Sequence, residues 1–143
     1  MAKLYSYLIF NGTCQEAFDF YKSVFNTEYS DFSTFGDMPQ DDATDPLLES
    51  DAQRVMHVCL PVNKDYKLMG SDSNSKSGDV IMGSNISVSI DADSREEATR
   101  LFEGLSKNGN ILMPLTDTFW GAYFGMFTDK FGVNWMINYD EVK

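Results

Sequence analysis

The chain carries the same helix-start pattern twice, 81 residues apart. Residues 13–16 (Thr-Cys-Gln-Glu) and 94–97 (Ser-Arg-Glu-Glu) both match a capping box, in which a hydroxyl and a carboxylate bind the unpaired amides of a helix's first turn. Apolar residues then follow at i, i+3, i+4 and i+7, which places them in one stripe along a helix. The matching stripe pairs are Ala17 with Ala98, Phe20 with Leu101, Tyr21 with Phe102, and Val24 with Leu105. The repeat predicts two similar modules, each built around one amphipathic helix.

Strand-like runs surround each predicted helix in the same order. One run precedes each helix, at residues 3–10 and 85–91, and Asn26 and Asn108-Gly109 supply the signals for the helix ends. Three runs follow each helix, at residues 28–35, 54–62 and 66–69 in the first half and at 111–116, 122–128 and 134–139 in the second. This order predicts an α+β chain of two tandem βαβββ modules, each too small to bury a sheet face alone.

Two polar segments interrupt the repeat. Residues 36–53 are rich in aspartate and form an insertion between two strands, which predicts either a mobile lid or a dimer-contact arm. Residues 70–84 have the Gly/Ser-rich composition of a flexible linker. We therefore expect one domain over residues 1–143, with module 1 at about 1–72, a linker at about 71–83 and module 2 at about 83–143.

Composition restricts the classes of partner. The 11 basic and 22 acidic residues give the chain of 143 residues a net charge of −11, which disfavours binding to nucleic acids and to anionic membranes. An apolar fraction of 43% excludes a disordered chain, and no apolar run is long enough to span a bilayer. The first residues lack a signal-peptide pattern, and two cysteines do not make a disulfide framework. These features predict a soluble cytoplasmic protein.

Distinctive motifs cover nearly the whole chain. They are Tyr-Leu-Ile-Phe-Asn-Gly at residues 7–12, Glu-Ala at 16–17 with Phe-Tyr-Lys-Ser-Val-Phe at 20–25, Leu-Met-Gly-Ser-Asp at 68–72, Thr-Phe-Trp-Gly at 118–121, Tyr-Phe-Gly at 123–125, and the stretch 128–138. Together with the duplicated module, these motifs resemble the vicinal oxygen chelate superfamily, which includes glyoxalase I and the bleomycin-resistance proteins, and within it the PhnB-like group. The resemblance implies curled mixed sheets around a concave cleft and a homodimer.

The resemblance also implies where a metal would bind. Enzymes of the superfamily hold a divalent metal with His and Glu on the first and last strands of each module. The corresponding positions here are Tyr5 or Ser6, Asn85, Leu68 or Met69, and Met136. None of them is a histidine or a carboxylate, and a catalytic zinc or iron site normally needs two or three nitrogen ligands where this chain has one histidine. We therefore predict no metal site of the usual kind and no cofactor.

Strand alternation selects the residues that would line the cleft. In residues 54–62, Val58 and Leu60 share one face, which leaves His57 and Cys59 on the other. The remaining candidates are Tyr5, Tyr7, Ser87 and Ser89 from the first strands, Asn134, Met136 and Asn138 from the last, and the aromatic residues Trp120, Tyr123 and Phe124. These side chains predict an aromatic pocket with neutral hydrogen-bonding groups, which suits binding of a small molecule. The aromatic residues have a second interpretation, as packing in the core and the dimer interface.

The functional hypotheses differ in the role that they give to His57. As a general base or polar anchor it would face the cleft, but we favour a structural role because the spacing reveals no partner carboxylate. The leading hypothesis is a PhnB-like protein that binds a small organic molecule without the usual metal triad, with enzymatic activity left open. The alternatives are a metal-dependent lyase, dioxygenase or resistance-type transferase with an unusual site around His57, and a structural dimer without ligand. A methyltransferase is not supported, because no strand followed by a Gly-rich turn and an acidic ribose contact is present.

Overall fold

A computed structural model describes residues 2–37, 49–74 and 78–141 of the chain. It divides into two compact units, Met1–Ile81 and Met82–Lys143. The first contains β1 (Ser6–Phe10), α1 (Cys14–Phe25), β2 (Asp31–Thr34), α2 (Glu49–Ala52), β3 (Val55–Pro61) and β4 (Lys67–Asp72). The second contains β5 (Val88–Asp91), α3 (Arg95–Ser106), β6 (Asn110–Asp117), β7 (Ala122–Thr128) and β8 (Asn134–Asp140). Apart from the one-turn helix α2, this order confirms the predicted α+β class and the tandem βαβββ modules.

The two sheets have the same topology. The strand orders are β1-β4-β3-β2 and β5-β8-β7-β6. In each sheet the first and last strands of the unit pair in parallel, and the other pairs are antiparallel. Agreement in order and direction across four strands supports the duplication that the sequence predicted.

Each long helix packs one apolar stripe against its own sheet. The stripe of α3 is Ala98, Leu101, Phe102 and Leu105, as predicted, whereas α1 buries Cys14, Ala17, Phe18 and Tyr21. The predicted stripe of α1 is therefore partly wrong: Phe20 and Val24 are only half-buried. Phe18 is turned inward because it lies against Gly70 of β4, where an added Cβ would sit 2.7 Å from its ring. Phe102 lies in the same way against Gly125 of β7.

The start of α3 confirms the hydroxyl half of the predicted capping box, and the carboxylate binds one residue earlier than the box requires. The Glu97 amide donates to Ser94 Oγ over 3.0 Å, and the Glu97 carboxylate accepts from the Asp93 amide over 2.8 Å. Both ends predicted from asparagines are also present, since Asn26 and Asn108 adopt the left-handed conformation with φ of 56° and 62°.

The start of α1 contradicts the predicted capping box. The Thr13 side chain makes no capping hydrogen bond. A different side chain binds amides here: Oδ1 of Asp72, at the end of β4, accepts from the amides of Gly12 (2.8 Å) and Cys14 (3.0 Å). The second carboxylate oxygen accepts from the Val55 amide over 2.9 Å. Asp72 is buried, so one carboxylate joins the start of α1, the start of β3 and the end of β4.

The two polar segments are only partly loops. Residues 70–72 of the predicted linker belong to β4, and further along it the Val80 backbone exchanges two hydrogen bonds with the Asn11 side chain. In the acidic insertion, residues 38–48 lie outside the described part of the chain, so the predicted lid or arm is not tested there. The end of the insertion is α2, where Asp51 is buried with its carboxylate 3.8 Å from Arg54 Nε.

Candidate functional site

The first sheet has a helix-free face on the side opposite α1. Val58, Leu60 and Leu68 are buried on the α1 side, and the residues that alternate with them point the other way. The ladder registers give the helix-free face of the first sheet as Tyr7, Ile9, Asp31, Ser33, Cys59, Met69 and Ser71, with His57 opposite Ser33. Tyr7, Met69, Cys59 and Asp31 form one continuous row across all four strands.

Three side chains on this face form a connected polar chain. The Tyr7 hydroxyl lies 3.3 Å from His57 Nδ1, and the two rings are stacked with centroids 5.8 Å apart and an angle of 25° between their planes. On the other side of the imidazole, Nε2 lies 3.6 Å from Asp31 Oδ2. A phenol, an imidazole and a carboxylate thus follow one another across β1, β3 and β2.

The two nitrogens of His57 have different contacts. When the neutral ring carries its hydrogen on Nε2, Nδ1 accepts from the Tyr7 hydroxyl, and when it carries the hydrogen on Nδ1, that nitrogen donates to the hydroxyl oxygen. At 3.6 Å the contact with Asp31 is longer than a hydrogen bond, and it becomes an ion pair only when the imidazole is protonated. Nε2 is therefore the nitrogen that is available to a ligand.

The polar chain is accessible from solvent. Tyr7 is 45% exposed, and the side chains of His57 and Asp31 are 33% and 58% exposed. A ligand could therefore reach all three groups on this sheet face. The phenol and the imidazole can each donate or accept a hydrogen bond, which allows polar recognition and proton exchange with a bound molecule.

Asp31 is the residue that the sequence analysis missed. Its alternation with Phe32 could have placed it on the same face as Ser33, but its strand pairs with β3 across the acidic insertion. The spacing along the chain therefore could not show that a carboxylate meets His57.

The other predicted residues of the first unit contribute less to this face. Tyr5 lies one residue before β1, with Lys67 Nζ 4.7 Å from the centre of its ring. Cys59 is in the central row but only 6% exposed. The remaining cysteine, Cys14, is the buried first residue of α1, where burial and the Asp72 carboxylate both raise the pKa of its thiol well above the usual range. Cys14 therefore suits a structural role and not a nucleophilic one.

The second sheet also has a helix-free face, opposite α3. Several predicted residues lie on it: Ser89 pairs with Met136, and Asn138 pairs with Phe124. The Asn138 amide nitrogen donates to Asp91 (3.1 Å) and Asp140 (3.2 Å). Serine, thioether, amide and phenyl groups are therefore brought together on one sheet, as the alternation predicted.

Four predicted residues of the second unit have other surroundings. Tyr123 points toward α3, where its hydroxyl lies 3.0 Å from Thr99 Oγ1 and the Arg95 guanidinium lies 3.9 Å above its ring. It differs from Phe124 because neighbouring residues of a strand face opposite sides. Asn134 donates to the carbonyls of Gly83 and Ile86, so its amide holds the backbone before β5. Trp120 lies in the β6–β7 turn, 54% exposed, and Ser87 directly precedes β5.

The positions that would hold a metal in the superfamily do not fit one. The ladder partners of Met69 are Tyr7 and Cys59, and those of Met136 are Ser89 and Met126, so none of these four partners is an imidazole or a carboxylate. In the ranges 2–37, 49–74 and 78–141, no group of three or more His, Cys, Asp or Glu side chains is placed to bind an ion.

None of the helices described here combines the length and the hydropathy that crossing a bilayer requires.

Comparison with known proteins identifies the family. Residues 2–138 match the family model described as 3-demethylubiquinone-9 3-methyltransferase. The chain belongs to this family. Protein YjdN of Escherichia coli K12 is 33% identical over 135 residues, which cover 92% of this chain and 91% of YjdN.

Solved structures give the same family and fold. Protein PA1353 of Pseudomonas aeruginosa superposes with a TM-score of 0.85 at 37% identity, covering 99% of this chain and 100% of PA1353. The PhnB protein of Bacillus cereus, described as a putative 3-demethylubiquinone-9 3-methyltransferase, superposes with a TM-score of 0.72 at 27% identity and covers 96% of this chain and 99% of its own. The PhnB-like resemblance is thereby confirmed.

A more distant structure shares the fold. The fosfomycin-resistance protein FosX of Listeria monocytogenes, solved with Mn(II) and sulfate, has a TM-score of 0.62 at 10% identity over 99% of this chain and 93% of its own. At that identity the likeness concerns the fold alone.

Proposed function

We propose that the protein binds a small organic molecule on the helix-free face of the first sheet, with His57 as the polar anchor and without a metal of the usual superfamily kind. The observation that carries this proposal is the Tyr7–His57–Asp31 chain. Tyr7 fixes the ring through Nδ1, which leaves Nε2 directed at a ligand that accepts or donates a hydrogen bond. Asp31 Oδ2 lies 3.6 Å from Nε2 and places a carboxylate beside the nitrogen at which the ligand would bind.

The surroundings of the anchor also support binding of an organic molecule. Met69 and Ile9 lie on the same sheet face as His57, and Ile9 is 48% exposed. A polar anchor bordered by apolar side chains is the usual composition of a small-molecule site. The predicted homodimer and cytoplasmic location remain predictions beside this proposal.

We do not extend the methyltransferase description of the family to an activity of this chain. A nucleotide-like cofactor commonly binds where a strand leads into a helix, at the free amides of the first turn. Here the Asp72 carboxylate binds the first amide of α1, and Ser94 binds the Glu97 amide at the start of α3. Both helix starts are thus already bound by side chains of the protein.

The single histidine allows a direct test. With 15N-labelled imidazole, the protein gives one pair of ring-nitrogen signals, which come from His57. We would screen neutral phenols, carboxylic acids and hydroxyketones by the shifts of those signals. Binding at the proposed site should move the Nε2 signal more than the Nδ1 signal, because Tyr7 occupies Nδ1.

Two matched variants distinguish the loss of a contact at this site from the effect of removing any tyrosine hydroxyl. Tyr7→Phe removes the contact to Nδ1, whereas Tyr29→Phe removes a tyrosine hydroxyl that is bound to Asp19 away from the anchor. We expect only Tyr7→Phe to lower the affinity for a compound that moves the His57 signals. The proposal is wrong if no compound moves the His57 signals, or if Zn²⁺, Mn²⁺, Fe²⁺ or Ni²⁺ binds at one ion per chain and raises the melting temperature in a manner abolished by His57→Ala.

A further inference from the structure

Three methionines lie side by side on the helix-free face of the second sheet. Met113 of β6 is the ladder partner of Met126 of β7, and Met126 is the partner of Met136 of β8. Ser89 of β5 completes the row next to Met136. All three methionines are half-buried, so their thioethers contribute to the surface of the sheet. Thioethers are flexible and polarisable, and they make favourable contacts with aromatic rings.

The next row on this face adds an aromatic ring and a polar border. Phe124 lies beside Asn138, and Asn138 lies beside Asp91. Trp120 extends the apolar part from the β6–β7 turn, with its ring centroid 6.3 Å from that of Phe124. The face is thus apolar on β6 and β7 and polar on β5, with Met136 between the two parts.

The charges on this unit are of one sign near the polar border. The four described strands β5 to β8 contain no Lys, Arg or His, and Asp91 and Asp140 both contact the Asn138 amide. Arg95, the basic side chain at the start of α3, is bound to Asp117 and Glu141 and lies over Tyr123 on the helix side. A ligand on the helix-free face therefore meets carboxylates and no cation from these strands.

We propose that this face binds a planar aromatic molecule carrying a protonated amine, with the ring on Met113, Met126, Met136 and Phe124 and the ammonium group beside Asp91. The proposal extends the proposed small-molecule function to the second sheet and does not depend on the His57 anchor. The dimensions agree, because Phe124 and Asp91 are separated by two strand spacings, about 10 Å. A fused two-ring system with an aminomethyl group spans most of that distance.

The test uses 2-naphthylmethylamine as the probe and methyl-13C methionine as the reporter. The chain has eight methionines, and single Met→Leu variants assign their methyl signals. Ring currents should move the signals of Met113, Met126 and Met136. Met82, which is 46% exposed before β5, serves as the control whose signal should stay in place.

Two matched probes test the charge requirement at 150 mM salt. Asp91→Asn should weaken binding of 2-naphthylmethylamine about 3- to 5-fold, the size of an exposed ion pair. The same variant should leave the affinity for uncharged 2-naphthylmethanol unchanged, and 2-naphthalenesulfonate should bind least of the three. Met126→Ala should weaken all three, whereas Met82→Ala should weaken none.

The proposal is overturned if the amine moves the Met82 signal as much as those of the row, if the sulfonate binds as tightly as the amine, or if Asp91→Asn has no effect. His57→Ala should not change the shifts of the methionine row. If fragments move the His57 signals but no probe moves the row, the site on the second sheet is rejected and the anchor on the first is retained.

Discussion

The two long helices occupy equivalent places in their units, yet their first turns are held by different means. At α3 the partners are local, since Ser94 and Glu97 lie within the same turn. At α1 the acceptor is the buried carboxylate of Asp72, which lies 58 residues after the Cys14 amide that it binds. One start is thus stabilised by its own sequence and the other by the sheet beneath it.

This difference shows that similar sequence motifs need not have the same role after duplication. Thr13 and Glu16 keep the residue types of a capping box, but the geometry at Thr13 is not that of a capping residue. Asp72 binds the Cys14 amide at this helix start and Thr13 makes no capping bond, so the motif is present without contributing. Substitutions at the two helix starts should therefore have very different effects on stability.

Asp72→Asn should have the largest effect. One oxygen that accepts backbone hydrogen bonds becomes an NH₂ donor facing other donors, in a side chain that is 4% exposed. We expect a loss of about 2–4 kcal/mol in the free energy of unfolding, measured by urea denaturation. Asp65→Asn is the matched control on an exposed loop and should be close to neutral. Equal effects of the two variants would show that the Asp72 hydrogen bonds do not stabilise the unit.

Ser94→Ala should have an intermediate effect. The variant removes the acceptor for the Glu97 amide, and loss of a capping side chain costs about 1 kcal/mol. Ser94→Asp restores an acceptor and should recover most of the stability in the same denaturation experiment. A loss as large as that of Asp72→Asn would contradict the view that the cap of α3 is a local and modest contribution.

The ion pair that follows the α3 cap should give a smaller effect that depends on pH. Hydrogen bonding to the Arg95 guanidinium lowers the pKa of Asp117 below its usual value of 3.8. Because the pKa is lower in the folded state, the pair stabilises the protein above about pH 3.8 and ceases to do so as the pH falls through the folded-state pKa. Asp117→Asn should therefore lower the melting temperature at pH 7, and the difference from the wild type should shrink as the pH falls below 3.8. A difference that stays constant as the pH falls through this range would contradict this assignment.

Thr13→Ala should have the smallest effect. Its hydroxyl makes no capping bond, so we expect a change within about 0.5 kcal/mol, the range of ordinary surface substitutions. A loss of about 1 kcal/mol, equal to that at Ser94, would mean that the two helix starts are alike in solution.

The architecture could be predicted from the sequence because each repeat shows local hydrophobic patterns typical of its strands and helix. Hydrophobic alternation and helix periodicity identified the eight strands and two long helices of the described residues, and the stripe of α3 was correct at every position. The stripe of α1 was partly wrong because Phe18 is selected by the space above Gly70, which belongs to a strand far along the chain. Packing between elements that are distant in sequence decides which residues of α1 are buried, and a local hydrophobic pattern carries no information about that packing.

The candidate site was harder to predict for the same reason. Alternation correctly separated His57 and Cys59 from Val58 and Leu60, but the contact between His57 and Asp31 depends on the register of β2 against β3. The aromatic residues Tyr123 and Phe124 were predicted to line one pocket together. They are adjacent in sequence and therefore point to opposite faces of β7. Side-chain identity alone could not distinguish the tyrosine bound to α3 from a ligand contact.

The distance along the chain between Asp72 and α1 also has a consequence for synthesis. At typical translation rates, 58 residues take on the order of 3–12 s to add, so the first turn of α1 leaves the ribosome well before the carboxylate that binds it. The acceptor for α3 is made with the helix itself. We therefore expect the N-terminal half to emerge as an incomplete intermediate that chaperones can bind, whereas the C-terminal half can begin its helix as soon as it emerges.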